Sequence, residues 1–151
     1  MWREIRGRGL SYHVGINLQI SEGLMYFVLF KSTHIVNAYT ESLKIIERYT
    51  NGTEEFEDAL FQSSISSLVF ELIEREKTIP RISNESILNY LRGVDMTYTK
   101  QLIERVMKVT VDDIKRVAPI YLMPLFDVSK SRCAVCCHPS KVTDVVKGFK
   151  E

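Results

Sequence analysis

The sequence predicts an α+β fold, a small antiparallel or mixed sheet packed by several helices. Two observations carry this. Residues 11–20 alternate apolar and polar side chains, and a β-rich apolar run, Leu24 to Lys31, follows after the turn residues Ser21-Glu22-Gly23. From residue 35 the apolar period changes to that of a helix and stays helical to about residue 122.

The elements follow in order. Residues 2–8 read as the end of a helix closed by Gly7 and Gly9. In the first strand Tyr12, Val14, Ile16, Leu18 and Ile20 oppose His13, Gly15, Asn17 and Gln19. Ile35, Tyr39, Leu43, Ile46 and Tyr49 share one helical face, and Asn51-Gly52 stops that helix. Thr53 is placed to cap the next, with Glu54 and Glu55 in its first turn. That helix runs to about Glu76, before Pro80. Gly93 marks a further helix end, and Thr110-Val111-Asp112-Asp113 a helix start with acids in the first turn. Pro119 predicts a kink or break, and Pro124 the exit. Ser131 to His138 reads as a third strand, and Ser140 as the cap of a short helix carrying Val142, Val145, Val146 and Phe149.

A chain of 151 residues, 45% hydrophobic and 26% charged, can bury a core of its own and fits one ordinary domain. Net charge is +1, so no overall field favours nucleic acid or a membrane surface, and neither is an expected partner. The one basic cluster, Arg3, Arg6 and Arg8, falls short of the stripe that nucleic acid demands. Leu24 to Phe30 is of strand length, well under the ~18 apolar residues of a membrane span. The odd, crowded set Cys133, Cys136 and Cys137 is a poor disulfide framework and points to a reducing compartment. The cytoplasm is the expectation, with the mitochondrial matrix as the alternative.

Three chemistries are set aside on spacing. His13, His34 and His138 lie far apart, so no pair one helical turn apart exists to hold zinc, and no metal ligand is assigned. Cys133, Cys136, Cys137 and His138 have half of a zinc-site spacing but no second pair; the cysteines, as small apolar residues on a buried strand, need no metal. Cys137 and His138, adjacent on a strand, point to opposite faces and cannot pair as nucleophile and base. Gly7-Arg8-Gly9 lacks the third glycine of a dinucleotide loop, Tyr12 standing in its place.

Ile5-Arg6-Gly7-Arg8-Gly9-Leu10-Ser11-Tyr12 resembles the IR-x-K-G-L/G-A-Y segment of the pitrilysin/insulinase zinc metallopeptidases, in the spacing of the presequence-protease branch. The likeness continues in order along the chain. Phe30-Lys31-Ser32 is similar to the family's Y-R-S-P turn into a helix, Leu91-Arg92-Gly93 to its L-R-G, and Thr110 to Ile114 to its T-x-E-E/D-I/L. Tyr121-Leu122-Met123-Pro124-Leu125-Phe126-Asp127 is similar to the Y-L-x-P-L-F-D of a cytosolic branch.

The resemblance implies a C-terminal, substrate-binding portion of a zinc metalloendopeptidase, inactive alone. Residues 1–151 would form one incomplete domain lacking upstream strands. Its expected partners are a peptide substrate and an N-terminal half that carries the zinc; this chain itself needs no cofactor. Arg6 would bond the substrate backbone, with Gly9 beside it, and Tyr12 would place its hydroxyl near the scissile carbonyl as the catalytic contribution. The family's glycine after the tyrosine is His13 here, a titratable ring beside the site. Two alternatives stand next to this expectation: a non-catalytic peptide-binding or scaffold member of the same superfamily, and a helical protein-interaction module.

Overall fold

A computed structural model describes residues 1–149. The fold is a small α+β arrangement with seven α-helices and one two-stranded antiparallel sheet among the described residues. It comprises two compact units, one of Met1–Glu54 with residues 115–149, the other of Glu55–Ile114.

The first unit is built on a hairpin. A four-residue helix α1 (Trp2–Ile5) leads into β1 (Ser11–Gln19), which pairs antiparallel with β2 (Leu24–Ser32). The strands form the hairpin that the sequence predicts, with a register that runs from Ser11 opposite Ser32 to Gln19 opposite Leu24. Helix α2 (Ile35–Thr50) lies on the face that carries Val14, Phe27 and Leu29. Ile5, Val14, Ala38 and Ile45 form the core, with Leu10, Phe27, Leu29 and Tyr49 packed against it. Complete burial of a side chain the size of Ile5 is worth about 1.5–3 kcal/mol.

The buried stripe of α2 is Ala38, Ser42, Ile45 and Ile46, one step round from the predicted face. Ser42 is fully buried, and its hydroxyl donates to the Ala38 carbonyl at 2.7 Å, so the polar group carries no desolvation penalty. Tyr39 instead joins an aromatic cluster with Phe27, Phe126 and Phe149, at centroid separations of 4.9–6.1 Å. Phe126 closes the 3₁₀ turn Met123–Phe126, and Phe149 follows helix α7 (Val142–Gly148), so this cluster ties the end of the chain to the hairpin.

The second unit holds α3 (Asp58–Glu74), α4 (Ile79–Arg92) and α5 (Tyr98–Val106). Helix α3 packs on α5, and Arg81 of α4 donates to the Glu74 carbonyl at 2.9 Å. Only Leu72 and Asn89 are buried among its described residues, while Phe70, Ile79, Tyr90, Leu91 and Met96 are each more than 60% exposed. Helix α6 (Val111–Tyr121) carries the chain onward. Its start is reciprocal, as the sequence predicts: the Asp113 amide donates to the Thr110 hydroxyl, and the Asp113 carboxylate accepts from the Thr110 amide. Gly93, in the left-handed region at φ 67°, ends α4 as predicted.

Four local expectations are corrected. Residues 131–138 form no strand; they pair with neither edge of the hairpin, their backbone is irregular, and among the described residues the sheet has two strands rather than three. Thr53 does not cap α3, because its amide and hydroxyl donate back to the Asn51 side chain and hold a turn, so the helix starts at Asp58. Pro119 does not break α6, which continues to Tyr121: only the proline's own amide bond is lost, and the Leu122 amide still reaches the Ala118 carbonyl at 2.8 Å. The residue capping the turn before α7 is His138, whose Nδ1 accepts from the Ser140 amide, not Ser140 itself.

Candidate substrate-binding hairpin

Arg6 and Tyr12 are brought together by a closed turn. After α1 the Gly9 amide donates to the Arg6 carbonyl at 2.9 Å and the Leu10 amide to the Ile5 carbonyl at 3.0 Å. With Gly9 at φ 69°, this is the paired closure of a helix end that a left-handed glycine permits. Gly7 is required for a different reason: a Cβ there would collide with the Arg3 carbonyl oxygen. The chain then enters β1 under lock. The Leu10 carbonyl accepts from the Ser32 hydroxyl at 2.8 Å and the Thr33 amide at 3.1 Å, and the buried Ser11 hydroxyl donates to the His13 carbonyl at 2.9 Å. The start of β1 is thereby held to the end of β2.

The result is a cation on an aromatic face. The Arg6 Cζ lies 4.7 Å from the Tyr12 ring centroid, and Tyr12 remains 58% exposed. A second cation arrives from β2. Lys31, across the ladder from Tyr12, places its ammonium 5.9 Å from the Tyr12 ring and 5.5 Å from the Phe30 ring. Its backbone is left-handed at φ 51°, the one non-glycine residue with positive φ among the described residues. A β-type ladder offers no reason for that conformation, and a strained residue beside an exposed tyrosine is the kind of outlier that clusters at functional sites. Sequence reasoning assigned Lys31 no role; its sequence signals are its place one residue before the strand ends and its membership of Phe30-Lys31-Ser32.

The three arginines of the basic cluster do not act as one. Arg8 binds Glu41 at 3.1 Å, and Lys44 binds the same carboxylate at 2.9 Å. The hydrogen bond from Lys44, ahead of the attraction of Lys44 and Arg8, holds the Glu41 carboxyl below the usual carboxylate range. Gly9 shapes the turn, and its amide is engaged by Arg6. The His13 ring leans along its own face of the strand, its Nε2 3.2 Å from where a side chain at Gly15 would begin. That face carries Phe30 rather than Tyr12, so the ring does not stand beside the tyrosine as the sequence suggested.

The cysteines are also corrected. Cys133 and Cys136 are exposed and Cys137 is half-buried, on an irregular segment rather than a buried strand. Among the described residues no group of three or more histidines, cysteines, aspartates or glutamates is placed to hold a metal ion. No described helix is long and apolar enough to cross a membrane.

No family model matches the sequence, and no solved structure matches it. Three curated proteins are similar over 99% of the chain, each an uncharacterized protein. One from Saccharomyces cerevisiae is 29% identical, one from Caenorhabditis elegans 28% and one from Schizosaccharomyces pombe 24%. The chain spans only 14–15% of the length of these relatives.

Proposed function

We propose that this chain is the substrate-gripping part of a longer, pitrilysin-type zinc metalloendopeptidase, and that Arg6 and Tyr12 act on the peptide. The observation that carries the reading is the Arg6–Tyr12 contact at 4.7 Å, held by a turn that leaves the tyrosine open to solvent. Arg6 offers guanidinium donors to a substrate backbone carbonyl, which fixes the peptide's position. Tyr12 offers a phenolic donor where negative charge develops on the scissile carbonyl oxygen. In this reading the zinc is held by another part of the longer protein, and no step here passes through it. The small share of the relatives' length that this chain spans accords with that division. A cytoplasmic location goes with the reading, since exposed cysteines are kept reduced there.

The test uses the longer protein with an intact zinc motif and a fluorogenic peptide. Arg6→Ala and Tyr12→Phe are expected to lower turnover by about 100-fold each, while both variants stay folded at the assay temperature. Wild-type turnover in both variants overturns the reading, as does a loss of activity that tracks loss of stability.

A second reading has its own observation. The second unit exposes Ile79, Tyr90, Leu91 and Met96 heavily, which supports an interaction module working through its helices. Binding partners that survive Arg6→Ala and are lost with Leu91→Glu would favour it.

A further inference from the structure

Among the described residues Lys31 is a cation without an anion. Its charged contacts are the two aromatic rings, and no carboxylate among the described residues ion-pairs with it. Three acids of the first unit are paired elsewhere: Glu4 and Glu54 with Arg48, Glu41 with Arg8 and Lys44. The Tyr12 end of the hairpin therefore carries positive charge from Lys31 that no described carboxylate pairs with. A glycine would take the φ of 51° without penalty, so nothing in the backbone calls for a lysine there. The side chain itself has to be the reason.

We propose that Lys31, together with Arg6, makes a carboxylate-binding flank around Tyr12, so that the favoured peptide presents an acidic group next to the segment held by the hairpin. This rests on the reading of the hairpin as peptide-holding. Lys31 is the specificity-determining residue: a carboxylate on the ligand supplies the counter-charge that no described residue provides, and the ammonium's donors can bond it directly. An acidic side chain and a free peptide C-terminus offer the same chemistry.

The experiment titrates the full chain with four short peptides of one neutral sequence, followed by NMR at the Tyr12 ring and the Lys31 side chain. One peptide ends in an amide, one in a free carboxylate, and two amidated versions carry a central Glu or Gln. The carboxylate-bearing peptides are expected to bind about 5–10-fold more tightly than their neutral counterparts. Whichever carboxylate gains more identifies its source. Lys31→Gly and Lys31→Asn, both compatible with a left-handed backbone, are expected to erase that preference while neutral binding and folding persist. Lys31→Gly should also raise the thermal midpoint, an outcome that a purely structural lysine would not give. Equal binding of charged and neutral peptides overturns the carboxylate site and leaves the peptide-holding reading standing. A preference that survives both Lys31 variants removes Lys31 from the site. Peptides that leave the Tyr12 and Lys31 signals unmoved overturn both readings.

Discussion

The Arg6 guanidinium lies over the Tyr12 ring, 4.7 Å from its centroid, across a turn in which the Leu10 carbonyl is bonded to Ser32 and Thr33. The contact is exposed on one side, so it orients the tyrosine without burying it. Exposed cation–aromatic pairs are worth about 0.5–1 kcal/mol. Losing this contact in Arg6→Ala should therefore cost about 0.5–1 kcal/mol, and Tyr12→Phe, which keeps the ring, should leave stability within about 0.5 kcal/mol of wild type. Denaturant melts of the two variants check both. A loss of several kcal/mol in Tyr12→Phe would mean that the hydroxyl has a structural partner.

Gly7→Ala should be more damaging than either. The added methyl meets the Arg3 carbonyl oxygen, a backbone atom that cannot swing away. Forced overpacking costs about 1–3 kcal/mol, and relief requires opening the turn that carries Arg6. Thermal melts should show the loss, and the Tyr12 ring resonances should move as the guanidinium leaves. Gly7→Ala with wild-type stability would mean that the close approach is not maintained in solution.

Alkaline pH should weaken the first unit through Tyr39. Burial, with the Cys133 thiol nearby as the lesser cause, raises its hydroxyl above the ordinary tyrosine value near 10. Tyr49 is raised too, by burial first and then by its hydrogen bond to Glu54. A raised folded value means that the stabilisation is complete below the unfolded value near 10 and disappears as pH climbs through the folded one. Stability should fall from about pH 10 upward, and Tyr39→Phe should blunt the fall. Equal alkaline sensitivity in wild type and in a Tyr39→Phe, Tyr49→Phe double variant would assign it elsewhere.

Cys133 and Cys136 should react with a thiol reagent in the native protein within the dead time of ordinary mixing, and Cys137 more slowly. The first two are exposed and the third half-buried, whereas cysteines inside a core wait for unfolding. Three equally slow reactions, limited by the unfolding rate, would return these residues to the core.

Amide exchange should be faster in the second unit than in the hairpin and α2. Its described residues bury only Leu72 and Asn89, and sparse burial is what sets low local stability. Thr110→Ala removes the reciprocal cap and should cost about 1 kcal/mol, felt first at the amides of α6. Uniform protection across both units would contradict the thin packing.

What the sequence determined is whatever depends on near neighbours. The alternation of Tyr12 to Leu18 made β1, the turn after Leu18 made the hairpin, and Thr110 with Asp113 made the start of α6. These signals are local because strand faces, turns and caps are decided within a few residues. Arg6 and Tyr12 could be singled out by spacing and resemblance, but their contact could not. Only the tertiary structure decided that contact, because it depends on bonds from Leu10 to Ser32 and Thr33 across the hairpin. Lys31 entered the site the same way, through a register that sets it opposite Tyr12 and a backbone angle no pattern encodes. The failed third strand has the same cause in reverse. The residues from Ser131 to His138 have the composition of a strand, but a strand exists only where the segment pairs with an edge, and that depends on how distant chain segments are placed.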